Sequence, residues 1–544
     1  CVAMCGWPKI SSDSHRVLSS RREMSRTATE SDPANLQRMT EAVLPFPLPS
    51  DRRYPLLVVN IAILHYHLRS GGVSSVLRAQ ADALTRFSSS DRVVILSGMQ
   101  PAAPMPVPVL VVPGLDYAGR TTANPEGAAA SLAQEIERAL DRAFAGPCDL
   151  LHVHNPLIRK NAAFLEALIM LQRRGQRLLI QVHDLAEDFR PDVYHNRVEY
   201  PGSCAYAVIN SRDRERLASS GLGLRHVHLL PNPVPVPPSF EARSGYREEA
   251  QRGRRTALYP VRAIRRKNVG ECLLLARFLP EGAELAVTLP PTSSRDKAVY
   301  ASWKSVAAEE RLHVRFEAGL EEQLSSLYDT SFCVVTTSVK EGFGYSYLDP
   351  IARGIPVVGR EIPYVVADFR AEGIALAGLY REIRVPRSAI PAEALHDALA
   401  LRIESFRRAY APSFAPEGRA GFRRFEEILA ALGRRFEGEY VDFGALDEGS
   451  QAHLLRRLDA DAALEQDLGA LNPFLSALFE SACSPERAEA ERKALRAAYS
   501  EEAYAELLRG AYRDAVSDDA AGSIDRRVLL QGYLTPESFF MVAS

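Results

Sequence analysis

Hydrophobic residues in this chain fall in short, nearly unbroken runs separated by stretches with helical spacing. Residues 56–64 are almost continuously apolar, and Gly71-Gly72 then open a helical run over 74–86. Further apolar runs stand at 93–96, 109–112, 150–154, 178–182, 206–209 and 227–230, with amphipathic helices expected over 127–144 and 162–174. Strands that are apolar on both faces and alternate with helices predict a mostly parallel sheet covered on both sides.

Proline-rich residues 231–238 interrupt the pattern, because proline cannot continue a helix or a central strand. The alternation restarts beyond it. Strands are expected at 256–260, 284–289, 313–316, 332–336 and 355–358, and helices at 269–278, 324–328 and 345–353. From residue 420 the pattern is helical and charged, with runs at 420–436, 451–468, 485–499 and 502–516. The predicted class is α/β: two doubly wound units over 51–237 and 238–437, joined by a proline hinge and facing a cleft. A tail over 1–50 reads as disordered, and a helical accessory extension covers 438–544. Met4 and Met24 are alternative starts.

Composition narrows the function classes. The 544 residues exceed one ordinary core, and 46% hydrophobic with 25% charged residues is a globular balance. A formal net charge of -2 gives no global pull toward nucleic acid or an anionic membrane. The 7 cysteines form no CxxC pair and several sit in apolar runs, so free thiols in a reducing cytoplasm are expected. No apolar run approaches the roughly 20 residues needed to span a bilayer.

Four clusters carry chemistry. Glu341-Gly342-Phe343-Gly344 follows a strand and precedes a helix opening at about Tyr345, so free N–H groups there form a seat for phosphate. Asp349 lies eight residues after Glu341, placed so that one acid reaches a sugar and the other a ribose. Arg262 and Lys267 stand five apart after the first strand of the second unit, a pairing suited to a diphosphate leaving group. Gly71 and Gly72 allow close backbone approach after the first strand, or simply make a tight turn. His183, in Val182-His183-Asp184, ends a strand at the mouth of the cleft.

Three His-x-His pairs (His65/His67, His152/His154, His226/His228) have metal-ligand spacing on strands, yet no third ligand lies nearby, and no metal site is expected. Asp459-Ala460-Asp461 reads as a solvated helix face.

Together these residues resemble the GT-B retaining glycosyltransferases of family 4, also called group 1, over roughly 55–435. The stretch from Glu341 to Asp349, followed by Ala352-Arg353-Gly354-Ile355-Pro356-Val357-Val358, is similar to the family's acidic signature. Arg262 with Lys267, His152-Val153-His154-Asn155, His183-Asp184 and Gly71-Gly72 match other elements. Three positions differ: Asp349 replaces a Glu, Val261 replaces a Gly, and Gly359-Arg360-Glu361 replaces a Gly-Gly turn.

The resemblance implies two Rossmann-like domains and a nucleoside-diphosphate sugar donor, with UDP or GDP the expected base. No cofactor is held permanently and no metal is required. It implies that Glu341 contacts donor hydroxyls and Asp349 the ribose. Arg262 and Lys267 would hold the diphosphate, with N–H groups from Gly344 through Tyr345 to Ser346, and Gly71 and Gly72 would approach the phosphates from the other domain. His183 would face the reacting sugar.

The expected activity is retaining hexosyl transfer to a hydroxyl of a sugar, glycoside or small polyol. A disaccharide phosphorylase or synthase on the same fold, or a non-catalytic nucleotide- or sugar-binding partner, are the alternatives. No nucleic-acid partner is expected, peripheral membrane contact is not favoured, and the extension is a candidate for oligomer contacts.

Overall fold

The computed structural model describes residues 59–542, apart from 70, 88–90, 118–123, 197, 239–240, 244, 481–483 and 518–521. The tail expected over 1–50 lies outside the described residues, as does Cys483.

The first half holds β1 (Asn60–His65), β2 (Arg92–Ser97), β3 (Val109–Val111), β4 (Leu150–His154), β5 (Leu178–Val182), β6 (Ala205–Val208) and β7 (Val227–Leu229). They form a parallel sheet ordered β3-β2-β1-β4-β5-β6-β7. The second half holds β8 (Thr256–Arg262), β9 (Glu284–Leu289), β10 (Val314–Phe316), β11 (Ser331–Thr336), β12 (Val357–Arg360) and β13 (Gly378–Tyr380), ordered β10-β9-β8-β11-β12-β13. Both orders reverse beside the first strand, at β1/β4 and at β8/β11. In doubly wound sheets the crevice outside the strand C-termini at such a point is where ligands bind.

Burial on both faces explains the apolar runs: every residue of β4, β5, β6 and β11 is buried. The helices start where side chains satisfy their first N–H groups. Asn124, Asn210 and Ser293 cap Pro125–Ala143, Ser211–Leu217 and Ser294–Glu309 by accepting from the third residue beyond.

The C-terminal residues do not form a bundle of their own. Tyr440–Asp442 (β15) pairs antiparallel with Arg384–Pro386 (β14). Leu454, Leu455 and Leu458 of the helix Glu448–Leu458 enter the second core. Leu495 and Tyr499 of Pro485–Tyr499 pack with Phe343, Tyr347 and Phe369. The helix Glu501–Ser517 crosses back to the first sheet, where Tyr504, Leu508, Tyr512 and Ala515 cover Ile61, Ile63, Leu179 and Ala207. The accessory extension expected over 438–544 is therefore part of both cores. Periodicity reveals that a helix has an apolar face, but not which sheet that face covers.

The proline hinge is extended and clamped. Val234 N donates to Tyr499 O at 2.7 Å, Tyr345 Oη to Pro233 O at 3.1 Å, and Arg492 to Pro237 O at 2.5 Å.

Candidate active site

The loop after β8 and the loop after β11 are stitched together before any side-chain chemistry begins. Tyr259 Oη and Thr337 Oγ1 both donate to the carbonyl of Lys267, at 2.5 and 3.1 Å, and Val339 N donates to Arg266 O at 3.0 Å. Arg265–Lys267 forms a single 3-10 turn, ended by Asn268 in the left-handed region at φ 52°. That turn brings two consecutive cations onto Glu341. Lys267 Nζ donates to Oε1, and Arg266 Nη1 donates to Oε2 at 2.9 Å. Tyr364 Oη holds the Glu341 carbonyl at 2.6 Å.

Electrostatics follow from this clamp. Burial alone would raise the Glu341 carboxyl, which is 9% exposed, but Lys267 and then Arg266 outweigh it and hold the group at about 2. Lys267 is itself lowered by burial, with Glu341 opposing. Arg262 does not join them. It is exposed at the end of β8, where Nη1 donates to Pro290 O at 2.9 Å. Of the two cations expected to hold a diphosphate, Lys267 thus stands on Glu341 and Arg262 stands apart, while Arg266, which was not singled out, takes the other carboxylate oxygen. Side-chain direction in a 3-10 turn does not follow from motif spacing.

Glu341 faces a cavity of about 430 Å³ between the two sheets, lined also by His183, Asp184, Arg190, Arg266 and Lys340. Gly342 sits where the halves touch: a Cβ there would lie 2.9 Å from the carbonyl oxygen of His183 and 3.0 Å from Ile209. Asn210 Nδ2 donates to Gly342 O at 2.9 Å, and Lys340 Nζ lies 3.1 Å from Asp188 Oδ2. Burial lowers Lys340 to about 8, with Arg190 and Arg212 adding to the effect against Asp188. Asp184 is opposed by burial yet held at about 2 by Arg190, Arg266 and Lys340. These interdomain groups, Asp188, Arg190, Arg212 and Lys340, carried no motif signal. Only the fold brings them together.

His183 is 7% exposed and lines the cavity from the first sheet. Its Nε2 lies 2.9 Å from His154 Nδ1, and its backbone N–H donates to Asn155 Oδ1 at 3.2 Å. Burial lowers it to about 4.

The remaining expected residues are dispersed. Gly344, at φ 99°, is the N-cap of Tyr345–Ala352, a conformation suited to glycine. Phe343 packs into the core against Phe369 and Tyr499 instead of facing the cavity. Ser346 Oγ is buried with no protein partner. Asp349 is pushed up to about 6 by burial, against the pull of Arg353. Gly71 and Gly72 stand at the start of Gly72–Phe87, and neither lines the cavity. Nothing lies within 4 Å of a Cβ built on Gly72, so no close approach requires glycine there.

The histidine pairs are bonded elsewhere. His65 Nδ1 meets His154 O at 3.2 Å, His152 Nδ1 meets Tyr512 Oη at 2.9 Å, and Arg225 donates to His226 at 2.8 Å. Among the described residues no group of three His, Cys, Asp or Glu side chains is placed to hold a metal ion. Asp459 pairs with Arg277 at 2.5 Å, and Asp461 caps the helix Ala462–Leu471. Cys148, Cys204, Cys272 and Cys333 are free thiols. No helix among the described residues is long and apolar enough to cross a membrane.

No protein-family model matches this chain. A mannosylglucosyl-3-phosphoglycerate synthase of Petrotoga mobilis is 26% identical over 322 residues, which is 53% of this chain and 62% of that protein. The match thus spans less than two thirds of the relative's length. Among solved structures, sucrose-phosphate synthase from Thermosynechococcus elongatus aligns with a TM-score of 0.49 at 14% identity, over 84% of this chain and 98% of that one. The catalytic domain of starch synthase IV from Arabidopsis thaliana aligns with a TM-score of 0.46 at 11% identity, over 85% and 100%.

Proposed function

We propose that the chain is a retaining glycosyltransferase that moves a hexosyl group from a nucleoside-diphosphate sugar to a hydroxyl of a sugar, glycoside or small polyol. The observation that carries this reading is Glu341, clamped by Lys267 and Arg266 at the strand ends of the second sheet and facing His183 of the first across one cavity.

A carboxylate held ionised accepts hydrogen bonds from donor hydroxyls. Lys267 beside it, and the exposed Arg262 at the end of β8, supply positive charge for the diphosphate as its bond to the sugar breaks. N–H groups at the start of Tyr345–Ala352 would add to that stabilisation. Asp349, in the same helix, would take the ribose hydroxyls. UDP and GDP are the bases we favour. The relative from Petrotoga mobilis is a glycosyl synthase by name, which agrees in reaction class.

A thermal-shift screen with UDP-, GDP- and ADP-sugars, followed by product analysis, tests the proposal. A rise in melting temperature with one donor and a glycoside of retained configuration is expected. No shift with any nucleoside diphosphate, or phosphate-dependent release of sugar 1-phosphate without nucleotide, would overturn it.

A further inference from the structure

Behind His183 a line of buried polar side chains runs away from the cavity and ends on the helix Glu501–Ser517. His183 Nε2 lies 2.9 Å from His154 Nδ1, and His154 Nε2 lies 2.9 Å from Gln80 Oε1. Gln80 Nε2 donates to Tyr504 Oη at 2.8 Å and to Gln181 Oε1 at 3.2 Å. All five residues are buried, with Gln80, His154 and Gln181 fully so. The groups come from four elements: the helix Gly72–Phe87, β4, β5 with the turn after it, and the helix Glu501–Ser517.

With the Gln80 and Gln181 amides oriented as they stand, the order of donors and acceptors sets where the protons sit. With its amide nitrogen committed to Tyr504 and Gln181, Gln80 offers His154 only an acceptor, so His154 carries its proton on Nε2. Burial keeps both imidazoles neutral, and a neutral ring with Nε2–H has a bare Nδ1. His154 Nδ1 therefore accepts, and His183 must donate from its own Nε2. Nδ1 of His183, bare in turn, is the ring nitrogen left for the cavity that this side chain lines.

We propose that Tyr504, Gln80 and His154 are positioning residues that lock His183 in the Nε2–H tautomer, so that its Nδ1 accepts a hydrogen bond from a hydroxyl of the transferred sugar. The inference rests on the transferase reading for the identity of the hydroxyl, but not for the tautomer. It gives the helix Glu501–Ser517 a part in the chemistry: its hydroxyl, with Gln181 Oε1, holds the amide nitrogen of Gln80, and the amide sets two rings. Tyr512, two turns further along the same helix, meets His152 on the neighbouring position of β4 at 2.9 Å and holds the same helix face against the sheet.

Long-range 1H–15N correlation spectra of the full chain, labelled on histidine, read the ring protonation directly, and a His183→Gln variant assigns the signals. The wild-type protein should show His183 protonated at Nε2 and bare at Nδ1. Tyr504→Phe keeps the ring packing and removes the hydroxyl. It should give a mixture of the two tautomers at His183 and lower kcat about fivefold with donor KM within about twofold.

A wild-type His183 protonated at Nδ1 means that the Gln80 amide is turned over, and overturns the proposal. So do unchanged ring-nitrogen shifts in folded Tyr504→Phe. If that variant does not fold, the wild-type tautomer decides alone. A chain with the expected tautomer that transfers no sugar from any nucleotide donor would instead sink the transferase reading, leaving the relay in place.

Discussion

Arg266 Nη1 and Glu341 Oε2 lie 2.9 Å apart, and the neighbouring Lys267 takes the other oxygen of the same carboxylate. Two adjacent residues of one turn thus grip one acid from both sides. The acid keeps its charge and its direction before any substrate arrives, so the site meets a donor preorganised.

Removing a cation should therefore separate binding from folding. Lys267→Ala is expected to abolish the rise in melting temperature produced by a nucleoside diphosphate. Arg262→Ala should weaken that ligand about tenfold or more, the worth of one charge-assisted hydrogen bond. Isothermal titration of UDP and GDP against the three proteins checks this. Undiminished affinity in Lys267→Ala would remove the diphosphate from this corner of the cavity.

Nucleotide affinity should depend on the ionisation of Asp349. Its folded value is about 6 against an ordinary 3.8. Ionising it costs stability as pH rises from 3.8 to 6, since the unfolded chain gives up the proton first. Once ionised, the carboxylate is the stronger acceptor for ribose hydroxyls. Affinity for a nucleoside diphosphate should rise as pH passes through about 6, and Asp349→Asn should flatten that part of the profile.

Glu341 behaves in the opposite sense. Its folded value of about 2 lies below the ordinary 4.5, so the native state holds the charged form more tightly than the unfolded chain does. The stability it contributes is present above 4.5 and is lost as pH falls toward 2. Melting temperatures measured across that range should fall less steeply for Glu341→Gln than for the parent. Equal slopes would mean that the clamp contributes nothing to acid resistance.

The doubly wound halves were legible because their strands are buried on both faces and so read as unbroken apolar runs. Leu150–His154 and Leu178–Val182 occupy the very positions the pattern predicts. Glu341 and Lys267 were legible because motif spacing fixes where the backbone of a loop returns. Arg266 was not, since spacing says nothing of which neighbour turns inward. Tyr504 and Tyr512 read as one apolar helix face whose destination, a sheet made from the start of the chain, no local pattern encodes.

The run Gly359-Arg360-Glu361, which departs from the resembled family, has a structural reason. Arg360 is 1% exposed and lies between Glu271 and Asp442, each at 2.7 Å from Nη2, with Nη1 also on the carbonyl of Arg381 at 2.9 Å.

Arg360→Ala would leave two buried carboxylates facing an empty site. It should destabilise the protein by about 3–5 kcal/mol, whereas replacing the whole group with apolar residues should cost far less. Denaturant melts of the single variant and of an Arg360→Met, Glu271→Leu, Asp442→Leu triple variant test the difference. A single variant as stable as the parent would show the triad to be dispensable.

The helix Glu501–Ser517 has a consequence for synthesis. The first sheet is complete in sequence at Leu229, but the helix that closes one of its faces is made only after the whole second sheet. Until then the face of Ile61, Ile63 and Leu179 has only the helix Gly72–Phe87 against it, in a state open to chaperones and to aggregation. A chain cut short before Glu501 should leave that face open even with both sheets made, because the first sheet is finished by a helix that follows the second.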